Sequence, residues 1–118
     1  MKKILYVEDD QATANEVKTI LSNNGFEVDI ASSGKECMKN MKKHYDLFLL
    51  DIMLPDMSGW DLFKNLKKKD ENCKCVFLSV LPVSSERMKE FKKKGVIDYI
   101  TKPFNKEDLL ARIKKILG

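Results

Sequence analysis

Histidine and tryptophan each occur once among the 118 residues, proline occurs three times, and arginine is nearly absent from a basic chain. Each scarcity removes a class of function. With His44 alone, no site built on paired histidines exists. Lysine supplies 20 of the 22 basic residues, leaving only Arg87 and Arg112, and base readout favours the planar arginine fork. The net charge of +4 therefore reads as a solvated lysine face, with no direct nucleic-acid binding expected. Cys37, Cys73 and Cys75 are odd in number and lack metal-ligand spacing, so they read as free cytosolic thiols. On a strand, Cys73 and Cys75 would point to the same face. No apolar run approaches the ~20 residues needed to cross a bilayer. Met1-Lys2-Lys3 leads into four apolar residues before an acidic cluster, too short and too acidic for a signal peptide. The expectation is a cytoplasmic protein without membrane contact. Repeats, low-complexity stretches and linkers are also missing, and residues 1–118 read as one domain.

Two periodicities alternate along the chain. Short apolar runs at 4–7, 26–31, 47–50, 76–80 and 99–100 have strand length. Helical spacing joins Ala14, Val17, Ile20 and Leu21 near the start, and Leu109, Leu110, Ile113, Ile116 and Leu117 near the end. Ser33 with Glu36 has the form of a capping box, and Ser58 with Asp61 and Asn105 with Asp108 offer N-caps. Gly25 and Gly95 suit left-handed positions after helices. Five such alternations predict a doubly wound α/β fold, with five helices on a five-stranded parallel sheet.

A parallel sheet brings the carboxyl ends of its strands to one edge. Strand one ends in Glu8-Asp9-Asp10, strand three in Asp51, and strand four runs into Ser79. Lys102-Pro103 follows strand five. Crowded carboxylates repel one another, and a hard cation such as Mg²⁺ gives them a reason to coexist. Beside such an ion one carboxylate can act as nucleophile toward phosphorus. A lysine and a hydroxyl suit the oxygens of the transferring group.

Val7-Glu8-Asp9-Asp10, Leu50-Asp51-Ile52-Met53-Leu54-Pro55, Leu78-Ser79 and Asp98-Tyr99-Ile100-Thr101-Lys102-Pro103-Phe104 resemble the receiver domains of two-component response regulators. The resemblance spans essentially the whole chain and implies the flavodoxin-like strand order 2-1-3-4-5. It implies that Asp51 accepts a phosphoryl group, becoming an aspartyl phosphate. Glu8 and Asp9 would hold Mg²⁺ with Asp51 and the backbone carbonyl of Met53. Ser79 and Lys102 would bind phosphoryl oxygens, and the Lys102–Pro103 bond would be cis. Tyr99 would be an aromatic switch that turns inward as Ser79 moves. The implied donor is a sensor histidine kinase or a phosphotransfer protein. The implied readout is a downstream effector protein or domain, through the surface of helix four, strand five and helix five (87–94, 98–102 and 108–117). Domains of this kind often dimerise on that surface, so a phosphorylation-dependent dimer joins the implied partners.

Several residues carry plainer readings. Asp10 reads as a helix cap, and Trp60, Phe63 and Leu66 as packing. Met53 and Leu81, apolar where the family tunes hydrolysis, predict a long-lived phosphoryl state. Serine stands at 79 where threonine is commoner, and Val80 follows where a small residue is usual. Two rival functions fit the residues less well. A Mg²⁺-dependent phosphohydrolase would need an acid at Met53, and a degenerate receiver would have no need of the full residue set. A nucleotide site is weaker still, since no Gly-rich loop follows strand one.

Overall fold

A computed structural model describes residues 1–118. The chain runs β1 (Lys3–Val7), α1 (Gln11–Ser22), β2 (Glu27–Ala31), α2 (Gly34–Asn40), β3 (Leu47–Leu50), α3 (Gly59–Lys69), β4 (Cys75–Ser79), α4 (Ser85–Lys93), β5 (Asp98–Thr101) and α5 (Lys106–Leu117). All strand pairs are parallel, in the order β2-β1-β3-β4-β5. The expected doubly wound sheet is therefore present. Its strands differ from the apolar runs by a residue or two at their ends: Phe26 precedes β2, and Val80 leaves β4.

The central strands are apolar on both faces because helices cover both. Alternation along each strand divides the core in two. Leu5, Val7, Phe48, Leu50, Phe77 and Tyr99 face one cluster with Leu62, Phe63 and Leu66 of α3 and Phe91 of α4. Ile4, Tyr6, Leu47, Leu49, Val76, Leu78 and Ile100 face the other, with residues of α1 and α5. Trp60, on the first cluster's margin, stacks on Phe63 with centroids 5.3 Å apart, so packing accounts for it. The helices differ in how firmly they are seated. α3 buries Gly59, Leu62, Phe63 and Leu66, whereas α4 buries Phe91 alone.

Helix ends follow the capping residues closely. Ser58 and Asn105 accept from Asp61 N and Asp108 N, and Asp10 caps α1 by accepting from Thr13 N at 3.1 Å. Gly25 and Gly95 adopt φ of 90° and 105°, the left-handed region expected of them. The capping box is only half formed. Ser33 Oγ accepts from Glu36 N at 3.1 Å, but the Glu36 carboxylate accepts from the Ser32 hydroxyl instead of reaching back. Asp56, in the β3–α3 loop, accepts from Gly34 N and Lys35 N at 2.9 Å each, placing its charge at the positive end of α2.

The β3–α3 loop folds back tightly on its own strand. Gly59 N donates to Ile52 O at 2.7 Å, and a Cβ at Gly59 would lie 2.0 Å from the Asp51 carbonyl oxygen. Met53 also forms an antiparallel bridge with Ser58. Glycine is required at 59 by close approach of backbone, not by an unusual φ. We predict that Gly59→Ala lowers the free energy of unfolding by about 1–3 kcal/mol, as overpacking does. Urea melts read by circular dichroism check this, and an unchanged midpoint would contradict it.

Candidate functional site

A cleft of about 420 Å³ opens at the carboxyl edge of the sheet. Glu8, Asp9, Asp51, Met53, Val80 and Lys102 line it, with Asp10, Thr13, Leu54 and Pro55 at its margins. A larger cleft of about 530 Å³ gathers Met38, Met41, three lysines, His44 and Asp70 without converging acids. The chemistry collects at the smaller one.

Three parallel strands deliver the charged groups. Glu8 follows β1 and Asp51 follows β3, and Asp51 N donates to Val7 O at 3.1 Å, which locks the two strand ends together. Lys102 follows β5 across a cis bond to Pro103, as the resemblance implies, and its N–H donates to Ser79 O at 2.8 Å. Carboxylate oxygens of Glu8, Asp9 and Asp51 all lie within 4.8 Å of one another. The Lys102 ammonium is seated against this group: Nζ contacts Glu8 Oε1 and lies 3.3 Å from Asp51 Oδ2.

The acids differ in setting. Glu8 is only 2% exposed and Asp51 6%, while Asp9 is open to solvent. Burial pushes the Glu8 carboxyl above its ordinary range, and the Lys102 bond and the Asp10 N–H oppose that shift. The Tyr6 hydroxyl donates to Glu8 Oε1 at 3.0 Å. Burial, then the Glu8 charge, raise the Tyr6 phenol well beyond its usual value, so it stays a neutral donor. Tyr6 was not legible as a site residue: it occupies an ordinary inward position on β1, and only the fold reveals its reach. Asp10 serves the helix, held low by its bonds from Thr13.

An oxygen-rich group of three carboxylates with a mixture of buried and open positions suits a hard divalent cation. Glu8, Asp9 and Asp51 thus fit Mg²⁺ chemically. Met53 borders the same cleft, and its N–H donates to Asp51 Oδ1 at 3.2 Å.

Ser79 and Tyr99 stand behind the rim instead of on it. Ser79 is fully buried, and its Oγ accepts from Leu81 N at 3.4 Å. Tyr99 is turned inward here. Its ring stacks on Phe91 at 6.1 Å and 5°, and its hydroxyl donates to Leu81 O at 2.6 Å. Val80, 58% exposed, lines the cleft, whereas Leu81 faces a neighbouring groove with Ile52, Val83 and Tyr99. Of the two apolar residues expected to exclude water, Met53 borders the acids and Leu81 does not.

The family model of the response regulator receiver domain matches residues 4–114. The chain is 38% identical over 116 residues to the cell cycle transcriptional regulator CtrA of Caulobacter vibrioides, covering 98% of this chain and 50% of that protein. It is 37% identical to the transcriptional regulatory protein CusR of Escherichia coli, covering 98% and 51%. The chain thus spans about half the length of the curated relatives it matches. Among solved structures, a CheY-like receiver domain protein from Methanospirillum hungatei superposes with a TM-score of 0.90 at 36% identity, over 99% of this chain and 94% of that one. The response regulator TrrA from Thermotoga maritima, solved in complex with Mg²⁺ and BeF, superposes at 0.86 with 31% identity, over 99% and 100%.

The buried pair of acids makes stability depend on Lys102 and on pH. With its folded-state pKa raised, Glu8 contributes stability in acid that is lost as pH rises through that value, and the ammonium offsets the loss. Lys102→Met is expected to cost about 3 kcal/mol at neutral pH in chelator-treated buffer, the scale for breaking a buried ion pair. The deficit relative to wild type should shrink as pH falls and the Glu8 carboxyl protonates. Denaturant melts across pH test this; a deficit that grows in acid would refute the assignment.

Proposed function

Because the chain belongs to the response regulator receiver domain family, we propose that Asp51 is its phosphoryl acceptor and that the charged cleft catalyses the transfer. The observation that carries this is the seating of Lys102 between Glu8 and Asp51, with Asp9 beside them. An Asp51 carboxylate oxygen attacks phosphorus of a phosphohistidine on a sensor kinase or phosphotransfer protein. The P–N bond breaks, the P–O bond forms, and the leaving imidazole keeps its own electron pair and takes a proton. Lys102, already within reach of Asp51, pairs with a phosphoryl oxygen and holds the added charge. Glu8, Asp9, Asp51 and the Met53 carbonyl would hold Mg²⁺, which supplies charge neutralisation to the transferring group. Ser79, now turned to Leu81 N, would reorient to bond another oxygen. This is a signalling acceptor in the cytoplasm, turning over nothing but its own phosphoryl group.

The output follows from the same parts. Tyr99 and Leu81 couple the cleft's rear wall to α4, and α4 is the helix with one buried anchor. Phosphorylation would favour a second arrangement of the α4, β5 and α5 surface that an effector, or a second copy of the chain, reads. Hydrolysis of an exogenous phosphomonoester has less support, since an acid to protonate the leaving group is missing where Met53 stands.

Intact mass after incubation with Mg²⁺ and acetyl phosphate is expected to show one phosphoryl adduct. The adduct should vanish in Asp51→Ala and without the metal. A folded wild type that gains no mass would overturn the acceptor assignment. A second expectation concerns lifetime. Met53, 55% exposed at the cleft, offers no group to orient water, so Met53→Asn should speed dephosphorylation several-fold. Leu81→Glu alone should do less, as Leu81 faces away; the order is read from phosphoprotein decay.

A further inference from the structure

The three cysteines take no part in the acidic cleft, yet the fold gathers them into one core cluster. Cys75 opens β4 and Cys73 stands two residues before it, with their sulfurs 3.8 Å apart. Cys37 belongs to α2, and burial, then the Cys73 charge, push its thiol up to about 12. It is an inert packing group. Cys73 is different. It lies between exposed Asn72 and Lys74, is itself 6% exposed, and sits outside the β3–β4 ladder, whose first pairing is Phe48 with Cys75. Lys67 Nζ donates to its carbonyl at 2.7 Å, bringing an ammonium beside the pair.

The two thiols are polarised against each other. The hydrogen bond between the two sulfurs holds the Cys73 thiol below its ordinary value, and the Lys67 charge adds to this. The same bond, with burial, pushes the Cys75 thiol up. Two hydrogen-bonded sulfurs beside an ammonium, the first of them outside the strand ladder, are the arrangement of an attacking and a resolving cysteine.

We propose that Cys73 and Cys75 form a peroxide-sensitive dithiol that closes to an intramolecular disulfide. The Cys73 thiolate attacks one oxygen of a hydroperoxide, the O–O bond breaks, and the departing hydroxide or alkoxide takes a proton. Cys73 is oxidised to a sulfenic acid and the peroxide is reduced to water or an alcohol. The Cys75 sulfur then loses its proton and displaces the sulfenic hydroxyl as water, forming the S–S bond. The sulfurs must close from 3.8 Å to about 2.05 Å. Cys73, preceding the ladder, supplies that movement without breaking a strand pairing.

Native wild-type chain would be reduced, exposed to hydrogen peroxide, unfolded and alkylated, then digested with trypsin. Trypsin cuts after Lys74, between the two cysteines. The accessible thiol count should fall from three to one, with Cys37 the thiol still alkylated. The peptides on either side of Lys74 should stay linked until reductant is added, in wild type and in Cys37→Ser alike. Cys75→Ser should leave Cys73 as a sulfenic acid that dimedone labels. Three persisting thiols in wild type, a link to Cys37, or a link between two chains would each overturn the proposal. The wild-type readout does not depend on any variant folding.

Discussion

Everything at the cleft depends on one ammonium lodged among carboxylates. Three acids brought within 4.8 Å of one another would drive a sheet edge apart or force protons onto it. Lys102 opposes both by touching Glu8 and Asp51 at once. Its position depends in turn on β5, whose last residues pair with β4, and on the bond from Lys102 N to Ser79 O. A charge problem created by β1 and β3 is therefore met by the opposite edge of the sheet. The sheet's integrity and the site's electrostatics are one constraint.

Much of this was legible in the sequence because period and position did the work. Apolar runs of strand length, separated by capped helical segments, specify a parallel sheet, and a parallel sheet specifies one chemical edge. Glu8, Asp9, Asp51 and Lys102 could be named from that alone. Other parts depended on side-chain reach across the fold. Tyr6 looks like any inward strand residue until its hydroxyl is found on Glu8. Asp56 satisfies two first-turn donors of α2, Gly34 N and Lys35 N, a contact across 21 or 22 residues that no local motif announces. Leu81, expected beside the acids, lines the neighbouring groove while Val80 lines the cleft, because a run of apolar residues does not say where the strand stops.

Behind the cleft lies an aromatic column. Phe77 of β4 and Tyr99 of β5 meet Phe91 of α4, and Phe91 meets Trp60 of α3. Such rings pack with defined geometry, so a shift of one is transmitted as a shift of its neighbour. Ser79 sits at the end of the strand that carries Phe77, and Tyr99 reports on Leu81 two residues later. The rear of the site and the surface of α4 thus share one packed set of side chains.

The two walls of the cleft are built with unequal stiffness. On the β3–α3 side, Gly59 is bonded to Ile52, Met53 is bridged to Ser58, and Asp56 is fastened to the start of α2. On the β4–α4 side, Val80 stands in solvent and Phe91 is the one buried residue of α4, with Met88 half-buried against the same cluster. A load applied at Asp51 meets a rigid abutment on one side and a compliant arm on the other. Under the proposed acceptor role, the loop that carries Asp51 would serve as the fulcrum and the β4–α4 side as the arm that travels.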